Sequence, residues 1–488
     1  MIPFMDRREF VKDSTVLAAL AAAGLNFKNE SQGAESAARA VRGDVNDQLR
    51  VAVVGVRGRG MSHVGGFAGK NNCQVTTICD CDESVIGGAM KSIEKTQGKA
   101  PKYEKDFRKL LDDKSIDIVS IATPNHWHAL MAIWAIQAGK DVYVEKPVSH
   151  NVSEGRRIVE AARKYDKICQ TGTQSRSNPG MRQSMQYVLD GKIGKTTLSR
   201  GLCYKSRPSI GQAKGEQAIP KTLDFDLWCG PAKLTPLTRQ RLHYDWHWTW
   251  EYGNGDLGNQ GIHEMDKARW GLGKMELPKS VFSLGGRFGY VDDGETANTQ
   301  VCVFDYGDSS LIFEVRGLPS KDLLGSKVGN IFYGTEGYLV CPNYSTGIAF
   351  NKDNKEVARF SGGSDQLHFD NFIKAVRARK REILNADILE GHLSSALCHL
   401  GNISYRLGKE VTLNGQVQEL QGDTEGQEAV TRMVEHLKGN KVDLAGAKVR
   451  VGPKLAFDPK KEKFLANAEA DKMLTREYRK GFEVPEKI

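Results

Sequence analysis

From Leu49 onward, short apolar runs alternate with stretches in which apolar residues recur every three or four positions. The runs are LRVAVVG from Leu49, QVTTICD from Gln74, residues 116–122, DVYVEKP from Asp141 and KICQTGTQ from Lys167. Between them lie patterns such as residues 83–97, ALMAIWAIQAG and SEGRRIVEAARKY. Short apolar strands separated by helical stretches predict a parallel sheet covered on both faces. From about Lys195 the texture changes. TTLSRGLCY, TQVCVFDYG, SLIFEVRG and NIFYGTEGYLVC are joined by short Gly/Asp turns, which predicts a largely antiparallel sheet. Helices are expected near residues 368–380 and 389–407. Residues 416–453 read as a polar insertion and 454–488 as a C-terminal segment.

The 488 residues leave room for two or three domains and a large core. A net charge of +9 raises the question of an acidic partner. Lys and Arg are dispersed among Asp and Glu, however, with no sustained basic block, so a solvated surface is expected and no nucleic-acid partner. Nine cysteines stand without CxxC spacing, mostly in apolar contexts such as TTICDCD, and are read as buried thiols with neither a metal site nor a required disulfide.

The first run breaks into Gly55, Gly58 and Gly60 and then a helix start, MSHVGGFAG. Strand, tight glycine turn and helix make a Rossmann dinucleotide site, in which phosphate oxygens approach backbone N–H groups. Arg57 stands where the usual second glycine would be. Arg57 and Arg59 are either pyrophosphate contacts or solvated loop charges. Asp80 ends the second strand, where a carboxylate accepts ribose hydroxyls and repels a 2′-phosphate, so NAD is expected ahead of NADP. Ligands sit at the carboxyl ends of such strands. That places Thr123, Pro124, Asn125 and His128 of the TPNHWH turn, with Glu145 and Lys146, beside the cofactor.

In GNGDLGNQGIHEMD, Asn259, His263, Asp266 and Trp270 fall at i, i+4, i+7 and i+11, one helix face. A histidine near a helix N-terminus is disfavoured as imidazolium, which keeps a neutral base available, oriented by Asp266 or Asp256. Upstream, HYDWHWTW gathers Trp246, His247 and Trp250, where indole faces can cover a sugar ring or pack a core. Arg176 is expected to line the same cleft.

The order of glycine turn, Glu145-Lys146-Pro147 and helix-borne His263 resembles the glucose–fructose oxidoreductase/inositol dehydrogenase (Gfo/Idh/MocA) family, over about Leu49 to Leu413. The resemblance implies an N-terminal Rossmann domain (49–172) and a C-terminal α+β domain (173–415). The second domain would carry a large, mainly antiparallel sheet with one open face for pairing into a homo-oligomer, a dimer or tetramer. It also implies a cis peptide before Pro147, a nicotinamide-side position for Gln174, and a wrapping C-terminal segment (454–488). The family pattern is Asp-x-x-x-His; here Asn259 takes the aspartate's place and cannot accept a proton, leaving His263 as base. The implied activity is NAD-dependent oxidation of a secondary alcohol of a sugar or glycoside. Lys146 would stabilise the developing charge on oxygen. The rivals are a redox-neutral glycosidase and a sugar-binding protein without turnover.

Residues 1–40 read as an address. Arg7-Arg8 with Phe10 and Lys12 has the twin-arginine pattern, followed by an apolar run, Ser14 to Leu25, too short to span a bilayer. Ala38-Arg39-Ala40 offers a cleavage site before a linker (41–48). Folded export to the periplasm is expected, with no membrane insertion after signal removal.

Overall fold

The computed structural model describes residues 48–412 and 416–488. The expected export signal lies outside the described residues. Six strands form the first sheet: β1 (Leu49–Val54), β2 (Cys73–Cys79), β3 (Lys102–Glu104), β4 (Ile118–Ile121), β5 (Asp141–Val144) and β6 (Cys169–Thr171). Their order is β3-β2-β1-β4-β5-β6, every pair parallel. Val51 to Val54 are at most 1% exposed because helices cover both faces. One side is packed by the helices Asn125–Gln137 and Val152–Lys164, the other by Arg59–Phe67 and Gly87–Gln97. A later helix, Gln366–Ala378, joins that second side through Phe369, Phe372, Ile373 and Val376. The direction of the chain's winding reverses between β1 and β4, and this opens a crevice at their carboxyl ends.

The second sheet has twelve strands, and ten lie on one path. In chain order they are β7 (Thr196–Cys203), β8 (Ser280–Gly286), β9 (Thr299–Asp305), β10 (Ser310–Arg316), β11 (Val328–Gly334), β12 (Gly337–Cys341), β13 (Gly347–Asn351), β14 (Glu356–Phe360), β15 (Lys409–Val411) and β16 (Val449–Val451). All neighbouring pairs are antiparallel except β7 with β10. Alternation sorts the side chains. Cys302, Phe304, Leu311, Phe313 and Val315 face the helices Gly261–Gly271 and Ile388–Arg406. Val301, Val303, Ile312, Phe282 and Leu284 face the other way.

That outer face is not open over β8 to β10. The helix Thr424–Gly439 lies on it through Ala429, Val430, Met433 and Leu437. The segment read as a polar insertion is therefore an amphipathic cover. Its apolar residues are few and separated by Glu, Arg and Lys, so composition hid a one-sided stripe. Each large side chain so buried contributes about 1.5–3 kcal/mol.

The chain end returns to the first sheet, where Phe482 and Val484 join its core and Phe482 meets the edge of Trp127 at 5.5 Å. All nine cysteines are unpaired and eight are buried. No helix among the described residues is long and apolar enough to cross a membrane.

Candidate active site

The turn after β1 needs its glycines for steric reasons. Gly55 has φ 77°, and a Cβ there would stand 2.8 Å from the Ala122 carbonyl at the end of β4. A Cβ on Gly60 would meet the Gly55 oxygen at 1.8 Å. Gly58, with φ 62°, faces open space, and no side chain caps the helix that follows. This cradle has the shape and the free helix N-terminus that a pyrophosphate requires. At the end of β2, Asp80 accepts hydrogen bonds from the backbone of Val56 at 3.0 Å and of Asp82 at 3.1 Å. Burial raises its pKa while the two N–H groups oppose the rise. The carboxylate is thereby fixed at the lip of the crevice with lone pairs to spare for ribose hydroxyls.

The two loop arginines are held by protein groups. Arg57 donates to the His243 carbonyl at 3.3 Å. Arg59 pairs with Glu145 and with Asp365, both at 2.8 Å. Glu145 also meets His63 Nε2 at 3.1 Å and, more loosely, Gln174 at 3.4 Å. Burial penalises the Glu145 carboxylate, but Arg59 and His63 outweigh that and hold its pKa well below the usual value. His63 itself is fully enclosed and reaches Ser120 at 2.8 Å through its other nitrogen.

Lys146 follows at the end of β5, and its bond to Pro147 is cis, as the resemblance implied. Its ammonium donates to the Asn259 carbonyl at 2.8 Å. Burial lowers its pKa, and Glu145 works in the opposite direction. His128 secures the surrounding turns: its ring nitrogens lie 2.6 Å from the Pro147 carbonyl and 2.7 Å from that of Thr123. Both nitrogens are thus committed to backbone, and the ring serves the pocket as a wall. Asn125 is likewise engaged, donating to the Asn254 side chain at 3.0 Å.

Across the crevice, His263 stands in the first turn of the helix Gly261–Gly271, 8% exposed, with Nδ1 enclosed and without a partner among the described residues. Burial first, then the Lys146 charge, push its pKa well below the ordinary histidine value, so it rests as neutral imidazole. Trp246 stacks on His247 at 3.6 Å, and His247 Nδ1 lies 2.6 Å from the Tyr244 carbonyl. Burial lowers the His247 pKa to about 3. Next to His263, the buried Glu264 is pushed up to about 7 by burial, against the pull of Lys267.

One cavity of about 440 Å³ runs from Asp80 and the glycine turn past Thr123, Pro124 and Gln174 to Lys146, Asn259 and His263, with Trp246 and His247 also in its wall. Three expected substrate contacts are placed elsewhere. Arg176 is bonded to Asp266 at 2.8 Å and Glu390 at 2.9 Å, and the Arg176–Asp266 pair is buried beneath the helix. Trp250 packs on Tyr405, with Arg406 above it. Neither expected aspartate orients His263, because Asp256 is bound to Arg207 and Asp266 to Arg176. Sequence reasoning missed His63, Trp228 and Tyr344, and it noted His243 only as the first residue of the HYDWHWTW run. His243 meets Asp82 at 2.7 Å, and Tyr344 lies against the His263 ring at 4.8 Å. Pairing between distant strands and loops brings Trp228 and Tyr344 to the cavity, whereas His63 lies on the helix of the glycine turn itself.

Comparison with known proteins agrees with this geometry. Residues 49–173 match "Oxidoreductase family, NAD-binding Rossmann fold", and residues 189–438 match "Oxidoreductase family, C-terminal alpha/beta domain". The chain belongs to the Gfo/Idh/MocA oxidoreductase family. Its cofactor is NAD. Among solved structures, the WlbA dehydrogenase from Bordetella pertussis, in complex with NADH and UDP-GlcNAcA, aligns with a TM-score of 0.55 at 20% identity, over 74% of this chain and 97% of that one. A levoglucosan dehydrogenase in complex with NADH and levoglucosan aligns with a TM-score of 0.56 at 17% identity, over 72% and 96%. Both share the fold of this oxidoreductase. Among curated proteins, a glycosyl hydrolase family 109 protein of Shewanella sp. (strain ANA-3) is 35% identical over 174 residues, 34% of this chain and 38% of that relative. An alpha-N-acetylgalactosaminidase of Shewanella oneidensis is 36% identical over 125 residues, 25% of this chain and 27% of the other. The chain thus spans well under half the length of these curated relatives.

Proposed function

We propose that this oxidoreductase oxidises a secondary alcohol of a sugar or glycoside. The observation that carries the reading is the meeting of Lys146 and His263, from opposite halves of the chain, in the cavity that continues into the glycine turn. When bound, NAD supplies the hydride acceptor at that end of the crevice. His263, neutral and with no carboxylate to share, takes the hydroxyl proton. Lys146 donates a hydrogen bond to the same oxygen and stabilises the charge left on it. The stacked Trp246 and His247 give the substrate an aromatic wall. Sugar ligands in the two structural neighbours support the choice of substrate class.

NAD is retained and recycled in place on this reading. Four contacts that tie the nucleotide half to residues 222–243 support this reading. They are the His243–Asp82 pair at 2.7 Å, Arg57 to the His243 carbonyl at 3.3 Å, Glu83 to the Thr222 carbonyl at 3.0 Å, and Asp224 to the Cys81 carbonyl at 2.9 Å. Retention suits the export proposed from Arg7-Arg8, because a protein exported folded carries its cofactor with it. Protein isolated from the periplasm should hold near-stoichiometric NAD and exchange hydride between a sugar alcohol and a keto-sugar without added NAD. Cofactor-free protein that needs millimolar NAD, or a cytoplasmic mature chain, would refute retention. Subunit pairing is proposed over β11 to β13, where Tyr333, Tyr338 and Phe350 form a half-buried aromatic row. A monomer by light scattering would refute it.

The second reading is redox-neutral glycoside cleavage, favoured by the names of the curated relatives. Release of nitrophenol from a nitrophenyl glycoside, with no net NADH, would select it over oxidation.

A further inference from the structure

Tyr344 reaches the cavity from the turn between β12 and β13. Its ring lies 4.8 Å from that of His263, and the Lys267 ammonium stands 5.1 Å from its centroid. The orientation of its hydroxyl follows from its neighbours. Lys205, which can only donate, bonds Gln260 Oε1 at 2.8 Å. That fixes the amide with its NH2 group towards Tyr344, to which Nε2 donates at 2.6 Å. Nε2 also lies 3.4 Å from Glu264 Oε2, which demands the same orientation. The phenol oxygen therefore accepts from Gln260, and its proton points elsewhere. Among the described residues, no acceptor takes it. Burial raises the phenol pKa, so Tyr344 remains a donor at any working pH.

We infer that Tyr344 is a substrate-binding, specificity-determining residue that donates its phenolic proton to the hydroxyl next to the one His263 deprotonates, so that the site selects vicinal diols. The inference rests on the proposed sugar oxidation. His263 and Lys146 hold the reacting oxygen, and the phenol, whose ring lies against that of His263, then meets the next polar atom along the sugar. A phenylalanine at this position keeps the ring against His263 and Lys267 and loses the donor, together with the oxygen that accepts from Gln260. A site built to hydrogen-bond a substrate hydroxyl discriminates against an analogue that lacks it, because its own polar group is left unpaired.

The experiment compares the wild type with Tyr344→Phe and Gln260→Leu. Wild type is first screened against D-glucose, D-galactose, N-acetyl-D-glucosamine and myo-inositol. The sugar oxidised is then compared with its two deoxy derivatives that lack a hydroxyl on either side of the oxidised carbon. Tyr344→Phe should lower kcat/KM on the parent sugar by on the order of 10- to 100-fold. On one of the deoxy derivatives it should change nothing, with bound NAD and melting temperature unaltered on either substrate. Gln260→Leu should show the same substrate dependence, since it frees the phenol to turn. An equal loss on the parent and on both deoxy sugars would make the role structural and overturn the inference, as would wild-type kinetics on the parent. Failure of the wild type to oxidise any of the four would instead remove the proposed function, and the inference with it.

Discussion

Lys146 donates from the end of β5 to the Asn259 carbonyl at 2.8 Å, which ties the nucleotide half to the helix that carries His263. One hydrogen bond thus sets the separation of the two groups proposed to act on a single oxygen. The acceptor is a backbone carbonyl, so the tie itself is indifferent to the residue at 259. This explains how asparagine can stand where the family pattern has aspartate without loosening the lysine.

Asp80 governs cofactor choice on this account. Its two backbone partners hold the carboxylate in place, so Asp80→Ala removes an ordered acceptor and a charge at once. Affinity for NAD should fall about tenfold or more, with NADP gaining relative to NAD. Titration of both nucleotides against stripped protein checks this. A wild type that already prefers NADP would contradict it.

The C-terminal segment is pinned by Glu462, which receives Arg156 at 2.5 Å and His392 at 2.8 Å. Burial works to raise its pKa, but the bonds from His392 and Arg156 prevail and lower it from 4.5 to about 2. A depressed carboxylate contributes stability that is full above its unfolded pKa and is lost as pH falls through the folded one. The loss should therefore run from about pH 4.5 down to about pH 2 and amount to about 3 kcal/mol. Urea unfolding of wild type and Glu462→Gln across that range should show the gap between them closing with acid. A gap that stays constant would contradict the assignment.

The cover on the second sheet should matter to stability. Met433→Ala removes a side chain 1% exposed between the helix Thr424–Gly439 and β8 to β10. It should cost about 2–4 kcal/mol by denaturant unfolding, with bound NAD unaffected. A change below about 0.5 kcal/mol would mean that the helix lies loosely on the sheet.

The residues legible in the sequence were those whose chemistry is local. Gly55, Gly60 and Asp80 are read from the strand–turn–helix unit that contains them, and Lys146 from its place at a strand end. Helical periodicity put Asn259, His263 and Asp266 on one face, but the helix begins only at Gly261, so Asn259 lies before it at the end of the short helical turn Gly255–Gly258. Asn259 and His263 reach the cavity, while Asp266, less than one turn beyond His263, meets Arg176. Trp250 was drawn into the site by its neighbours Trp246 and His247, although its ring turns to Tyr405. Tyr344 had no local signal, since β12 and β13 carry it to His263 from eighty-one positions along the chain. The helix Thr424–Gly439 was missed because five apolar positions among polar and charged ones look like a solvated segment until a sheet lies beneath them.

The central claim is that Lys146 and His263 act on one alcohol oxygen beside NAD. The most direct measurement is a single-turnover mix of NAD-loaded protein with the sugar it oxidises, following reduced nicotinamide by absorbance. Wild type should reduce its bound NAD, and Lys146→Ala and His263→Ala should each do so on the order of 100-fold more slowly or worse, with NAD still bound. Near-wild-type reduction by either variant would contradict the account.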